Sequence, residues 1–78
     1  MNHIERKLKK YAMLYLSDLL EDLSYESENV MTLEEFINSQ EYTFSYKEEQ
    51  TPFGQIYGTL SILQYGETEA QFTMCIAR

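Results

Sequence analysis

The chain has one cysteine, one histidine, one proline, three glycines and no tryptophan in 78 residues. A single cysteine excludes an intramolecular disulfide, and with a single histidine it also excludes a Cys/His zinc cage. Gly54, Gly58 and Gly66 are too scattered for a glycine-rich phosphate loop, and no P-loop lysine follows them. No apolar run approaches the roughly 18 residues that a membrane span needs. The basic first ten residues lead into Asp18, Glu21 and Asp22, with no small-residue cleavage site, so no signal peptide is expected. Bases are scarce too: six against thirteen acids, for a net charge of −7. That excludes the dominant basic surface of a general nucleic-acid binder. The expectation is a cytoplasmic chain with no cofactor, no membrane partner and no direct nucleic-acid partner.

What is present is one small domain, residues 1–78, with a thin core. A chain this short buries only about 60–65% of its unfolded surface. Without a disulfide or metal, a core of this size supplies roughly 3–5 kcal/mol, which favours packing against a second copy. The charge layout is more informative than its total. Residues 1–10 carry +3, residues 11–46 carry −8 with no base at all, and residues 47–78 carry −2. An acidic belt of this kind suits a basic partner or solubility.

Asn2 to about Leu23 reads as one long helix, with Asn2 and Glu5 placed as a capping box. Ile4, Leu8, Ala12, Tyr15, Leu16, Leu19 and Leu23 share one face at helical spacing. Tyr11, Met13, Leu14 and Leu20 lie outside that stripe, more apolar surface than one sheet covers; loops or a partner must take the rest. The helix charges oppose its macrodipole. Arg6, Lys7, Lys9 and Lys10 stand in the first turns and Asp18, Glu21 and Asp22 in the last. Each mismatch costs a few tenths of a kcal/mol, so free drift of surface charge explains it as readily as a functional constraint.

Ser24 to Val30 is polar and acidic and reads as a loop. Thr32 and Glu35 then form an S/T-x-x-E capping box for a short helix over Leu33 to Ser39, with Met31 and Phe36 placed as a hydrophobic staple. Three alternating segments follow: Glu41–Glu48, Gln55–Tyr65 and Glu69–Ala77. Thr51-Pro52-Phe53-Gly54 is a turn signal, and Gly66 marks a second turn. The fold class expected is α+β: two helices, then a three-stranded antiparallel meander with the long helix on one sheet face.

Strand register is the open question in that plan. A two-residue Gly66-Glu67 turn puts Leu63 and Ala70 on one face and sends Ile56, Leu60 and Ile62 to the other. An odd loop (Gly66-Glu67-Thr68) or a bulge puts both apolar sets on one side, pairing Ile62 with Phe72 and Leu60 with Met74. Burial of several side chains at about 1.5–3 kcal/mol each outweighs a turn preference, which favours the second arrangement. Phe44 is then expected to cover Gly58.

No catalytic constellation stands out. His3 sits at a chain end without a partner, and Cys75 has no second histidine to activate it. Glu34-Glu35, Glu48-Glu49 and Asp18/Asp22 lack EF-hand spacing and read first as solvated acidic faces. No catalytic, cofactor or metal-ligating residue is therefore assigned. Seven tyrosines are the compositional outlier. Strands favour aromatics, and so do protein interfaces.

The function expected is non-enzymatic: a small acidic binding protein that occludes a partner protein with a basic surface. Asp18, Glu21, Asp22, Glu26, Glu28, Glu34 and Glu35 are its candidate contacts, as carboxylates standing in for phosphates. Tyr57, Leu63 and Tyr65 form a second candidate surface. In size and charge the chain resembles small acidic phage-type inhibitors of restriction or CRISPR nucleases, an analogy that rests on composition and on no motif. A homodimeric regulatory or structural subunit without mimicry is the second expectation. A small enzyme using shared carboxylates is the third, and it needs a concave pocket holding two of them.

Overall fold

A computed structural model describes residues 3–26 and 31–77 of the chain. Its elements are α1 (His3–Glu26), α2 (Leu33–Ser39), β1 (Tyr42–Gln50), β2 (Ile56–Gln64) and β3 (Glu67–Ala77). The strands form one antiparallel sheet in the order β1-β2-β3. The long helix packs on one face of it, so the α-α-β-β-β arrangement read from the sequence is the fold.

Helix α1 runs to Glu26, one turn past the expected end at Leu23. Ser24, Tyr25 and Glu26 include no glycine or proline, so nothing in them interrupts the hydrogen-bond ladder. Ser24, Tyr25 and Glu26, expected in the loop Ser24 to Val30, are therefore helical; the rest of that expected loop, residues 27–30, and the expected cap at Asn2 lie outside the described residues. Leu8, Ala12 and Leu16 are buried against Leu60 and Ile62 of β2. Ile4, Tyr15, Leu19, Tyr42, Phe44, Tyr46, Ala70, Phe72 and Met74 close around them. Tyr15 meets Phe72 edge-on at 6.0 Å. Leu23, at 49% exposure, leaves this stripe.

Helix α2 begins as its sequence requires. The Thr32 hydroxyl accepts from the Glu35 amide at 3.1 Å, and Phe36 is buried behind it with its ring 5.7 Å from Tyr42. The helix stops where Gln40 N–H returns to the Phe36 carbonyl and Glu41 adopts φ 55°.

The two hairpins differ in how they set register. Between β1 and β2 the ladder is unbroken, and the 51–55 loop closes on Thr51. The Thr51 carbonyl accepts from Gly54 N–H and its hydroxyl from Phe53 and Gln55 N–H. Between β2 and β3 the turn is Tyr65-Gly66, both at positive φ (54° and 82°), with Gln64 opposite Glu67. The expected three-residue loop is therefore wrong, and so are the pairs expected from it. Leu60 faces Phe72, Ile62 faces Ala70 and Met74 faces Gly58. The other expected device, a bulge, is present and corrects the parity: Leu63 pairs with Thr68 and Ile62 with Ala70, which leaves Glu69 as the inserted residue. Both apolar sets reach the helix side, as burial demanded, by a bulge and a two-residue turn.

Tyr46, and not Phe44, covers Gly58. A methyl group on Gly58 would stand 2.6 Å from the Tyr46 hydroxyl and 3.2 Å from Ile4 Cγ2. Gly58→Ala should cost about 1–3 kcal/mol, measured as a lower urea midpoint at unchanged slope.

Tyr42 titrates above the ordinary phenol value of 10.0, because burial desolvates it and because Glu69 and then Tyr15 lie near. The folded state thus holds this proton more tightly than the unfolded chain. The associated stability is whole below pH 10.0 and is lost as pH rises through the raised value. Unfolding midpoints from about pH 8 to about pH 11 should fall more steeply for the wild type than for Tyr42→Phe.

Candidate protein-binding surfaces

On α1 the side facing away from the sheet carries a single stripe. His3, Lys7, Tyr11, Leu14, Asp18 and Asp22 follow one another at steps of three or four, the spacing of neighbours on one helix face. All six are exposed. Lys10 and Glu21 flank them, exposed as well. The stripe is basic at its start, apolar in its middle (Tyr11 48% and Leu14 56% exposed) and acidic at its end. Two turns separate the last base, Lys10, from the first acid, Asp18, about 12 Å along the axis. Opposite charges on this face are thus out of reach of one another. Among the described residues Lys7, Lys10, Asp18, Glu21 and Asp22 make no ion pair. Lys9, by contrast, leans inward, its Nζ 5.1 Å from the centre of the Phe44 ring, a cation–π contact.

Glu34 and Glu35 are exposed on the first turn of α2. Glu34 borders a shallow groove whose floor is Met13, Leu33 and Ile37. The candidate carboxylates therefore fall into two sets, one on the outer face of α1 and one on α2. The side chain of Glu26 and the whole of Glu28 lie outside the described residues. Lys47 is the single base between residues 11 and 77, and it bonds Glu49 at 2.8 Å on the exposed β1 surface.

The second candidate surface is divided. Tyr57 and Leu63 do share the uncovered face of the sheet, but six residues apart, about 20 Å. Between them the face is polar: Thr59 bonds Thr73 at 3.1 Å and Gln71 bonds Ser61 at 3.2 Å. Tyr57 donates to Gln55 Oε1 and stands across from Cys75 and Glu49. Tyr65 is with Leu63 at the other end, 71% exposed in the turn. A further exposed aromatic was not singled out from the sequence: Phe53, 90% exposed at the β1–β2 tip. The signal was there, since the third place of a Thr-Pro-Phe-Gly turn points outward.

The two clefts described, one lined by Glu5, Lys9, Phe44, Tyr46 and Leu60 and the other beside Met13, each carry one carboxylate. Among the described residues no three His, Cys, Asp or Glu side chains come together as a metal site. No described helix is long and apolar enough to cross a membrane. No protein-family model, curated protein or solved structure matches the chain.

Tyr65 occupies a left-handed conformation that suits asparagine far better than an aromatic residue. Tyr65→Asn should therefore raise stability by about 0.5–1 kcal/mol. A lower midpoint would mean that the phenol ring makes stabilising contacts in solution.

Proposed function

We propose that this chain is a non-enzymatic, cytoplasmic binding protein that occludes a partner protein bearing a basic surface. The observation that carries the reading is the set of exposed carboxylates at the end of α1 and the start of α2: Asp18, Glu21, Asp22, Glu34 and Glu35, none paired among the described residues. Carboxylates fixed on helices can occupy a channel built for phosphates, because that channel supplies the bases this chain lacks. In this reading the partner is a nucleic-acid-binding defence protein, and the chain acts as a nucleic-acid mimic of the anti-restriction or anti-CRISPR kind.

A second reading is favoured by Tyr11 and Leu14, half exposed on a face that no described residue covers. It makes the chain a homodimeric regulatory or structural subunit with no mimicry.

Affinity capture from lysate at low salt, with mass spectrometry, identifies the partner. The occluding role predicts a basic protein that salt releases. The triple variant Asp18→Lys, Glu21→Lys, Asp22→Lys should keep the wild-type circular dichroism and bind that partner at least about tenfold more weakly. Unchanged affinity in a folded triple variant removes the occluding role for α1.

A further inference from the structure

We infer that the outer face of α1 binds a second copy of itself, antiparallel, about a twofold axis passing between Ala12 and Met13. The inference rests on the dimeric reading and specifies its surface, register and polarity.

Three features of α1 point to this occupant. The first is symmetry within the stripe. His3 and Asp22, Lys7 and Asp18, and Tyr11 and Leu14 are each equally far from the midpoint between Ala12 and Met13. Laid antiparallel on a copy, the stripe therefore sets Lys7 against Asp18 twice, Tyr11 against Leu14 twice and His3 against Asp22 twice. That self-complementarity is what a twofold interface requires. A parallel pairing sets base on base and acid on acid.

The second is that the monomer leaves these charges unused. The apolar turns hold the basic and acidic ends too far apart to meet within one helix, and none of Lys7, Lys10, Asp18 or Glu21 forms an ion pair among the described residues. An antiparallel neighbour brings each end its complement. It also accounts for the order of charges on α1, which the helix macrodipole disfavours at both ends. In the pair, each macrodipole lies head to tail with its partner's, and the acidic end of one helix meets the basic end of the other.

The third is steric freedom. The sheet covers the side of α1 carrying Leu8, Ala12 and Leu16, while the groove beside α2 is at Met13. The stripe lies away from both, and every residue in it is exposed. Steps of three and four residues are also the spacing by which two helices interlock at a shallow angle.

From His3 to Asp22 the seam spans about 28 Å. Its apolar content is Tyr11 and Leu14 alone, with charges on either side. A seam of this size belongs with weak, reversible interfaces, and a dissociation constant in the micromolar range, roughly 1–100 μM, is expected.

Sedimentation equilibrium over roughly 5–500 μM chain tests this, in about 50 mM and about 500 mM salt. A monomer–dimer equilibrium that weakens with salt is expected. The exposed double variant Tyr11→Glu, Leu14→Glu should weaken it at least about a hundredfold with circular dichroism unchanged. Lys7→Asp and Asp18→Lys should each weaken self-association, because each places like charges across both halves of the seam. Mixing the two variants should restore a heterodimer, and the double variant Lys7→Asp, Asp18→Lys should recover the homodimer. A dimer indifferent to all of these keeps the dimeric reading and overturns the α1 seam. Failure of the mixture to associate better than either variant alone overturns the antiparallel register. A chain that stays monomeric throughout removes both the seam and the dimeric reading.

Discussion

The contact of Leu8, Ala12 and Leu16 with Leu60 and Ile62 is the one on which the rest of the molecule depends. With Gly58 of β2 and Phe36 of α2, these five are the buried residues among those described. Each of the larger side chains contributes about 1.5–3 kcal/mol by burial. No disulfide reinforces them. Ala12 matters for being small, because it lets the helix backbone approach the sheet while the leucines a turn away fill the space beside it. Once the helix is seated there, its rotation is fixed. Tyr15 then reaches Phe72, Lys9 reaches Phe44, and the stripe from His3 to Asp22 is turned to solvent.

The same rotation separates the two sides of α1. Its inner side serves the core with residues that any amphipathic helix would use. Its outer side has a composition that folding does not require: a base-rich start, an aromatic and a leucine in the middle, and an acidic end. The uncovered sheet face is different in kind. Threonine, serine and glutamine satisfy one another across the strands, and Tyr57 and Leu63 sit at its two ends. That face is adequately accounted for by a solvated sheet surface, whereas the outer face of α1 also holds Tyr11 and Leu14, exposed between its charges.

Most of the fold was legible in the sequence because period and capping chemistry agree along the chain. The Thr32/Glu35 pair located α2 to the residue, and alternation located all three strands within two residues. The faces were legible too, since burial of Leu60, Ile62, Phe72 and Met74 together outweighs any turn preference. The turn was not. Gly66 was recognised, but Tyr65 as its left-handed partner is a residue the rules disfavour, and a single inserted residue at Glu69 carries no signature in composition. Gly58 showed a similar limit: the sequence said that something must fill the gap, and only the diagonal reach of Tyr46 across β1 and β2 says what. Of the candidate surfaces, the acidic end of α1 is exposed as read, while the Tyr57/Leu63/Tyr65 set is spread over about 20 Å of strand. Alternation assigns a side of the sheet and says nothing of distance along it.

The bulge at Glu69 makes interior and exterior in the last hairpin a matter of odd and even. With a two-residue turn fixed at one end, the strand after it has the wrong parity, and one residue that pairs with nothing restores it. Removing any single residue between Gly66 and Ala70 therefore does not exchange the faces. With two residues left to pair, the ladder can run unbroken from the turn, with Ala70 still opposite Ile62 and with Phe72 and Met74 still toward the helix. A regular ladder exchanges the faces only where it has to pair all three residues now present. The segment accordingly behaves as a counting device whose spare residue is taken up by the bulge, so that β3 keeps its side of the sheet while this stretch varies by one residue.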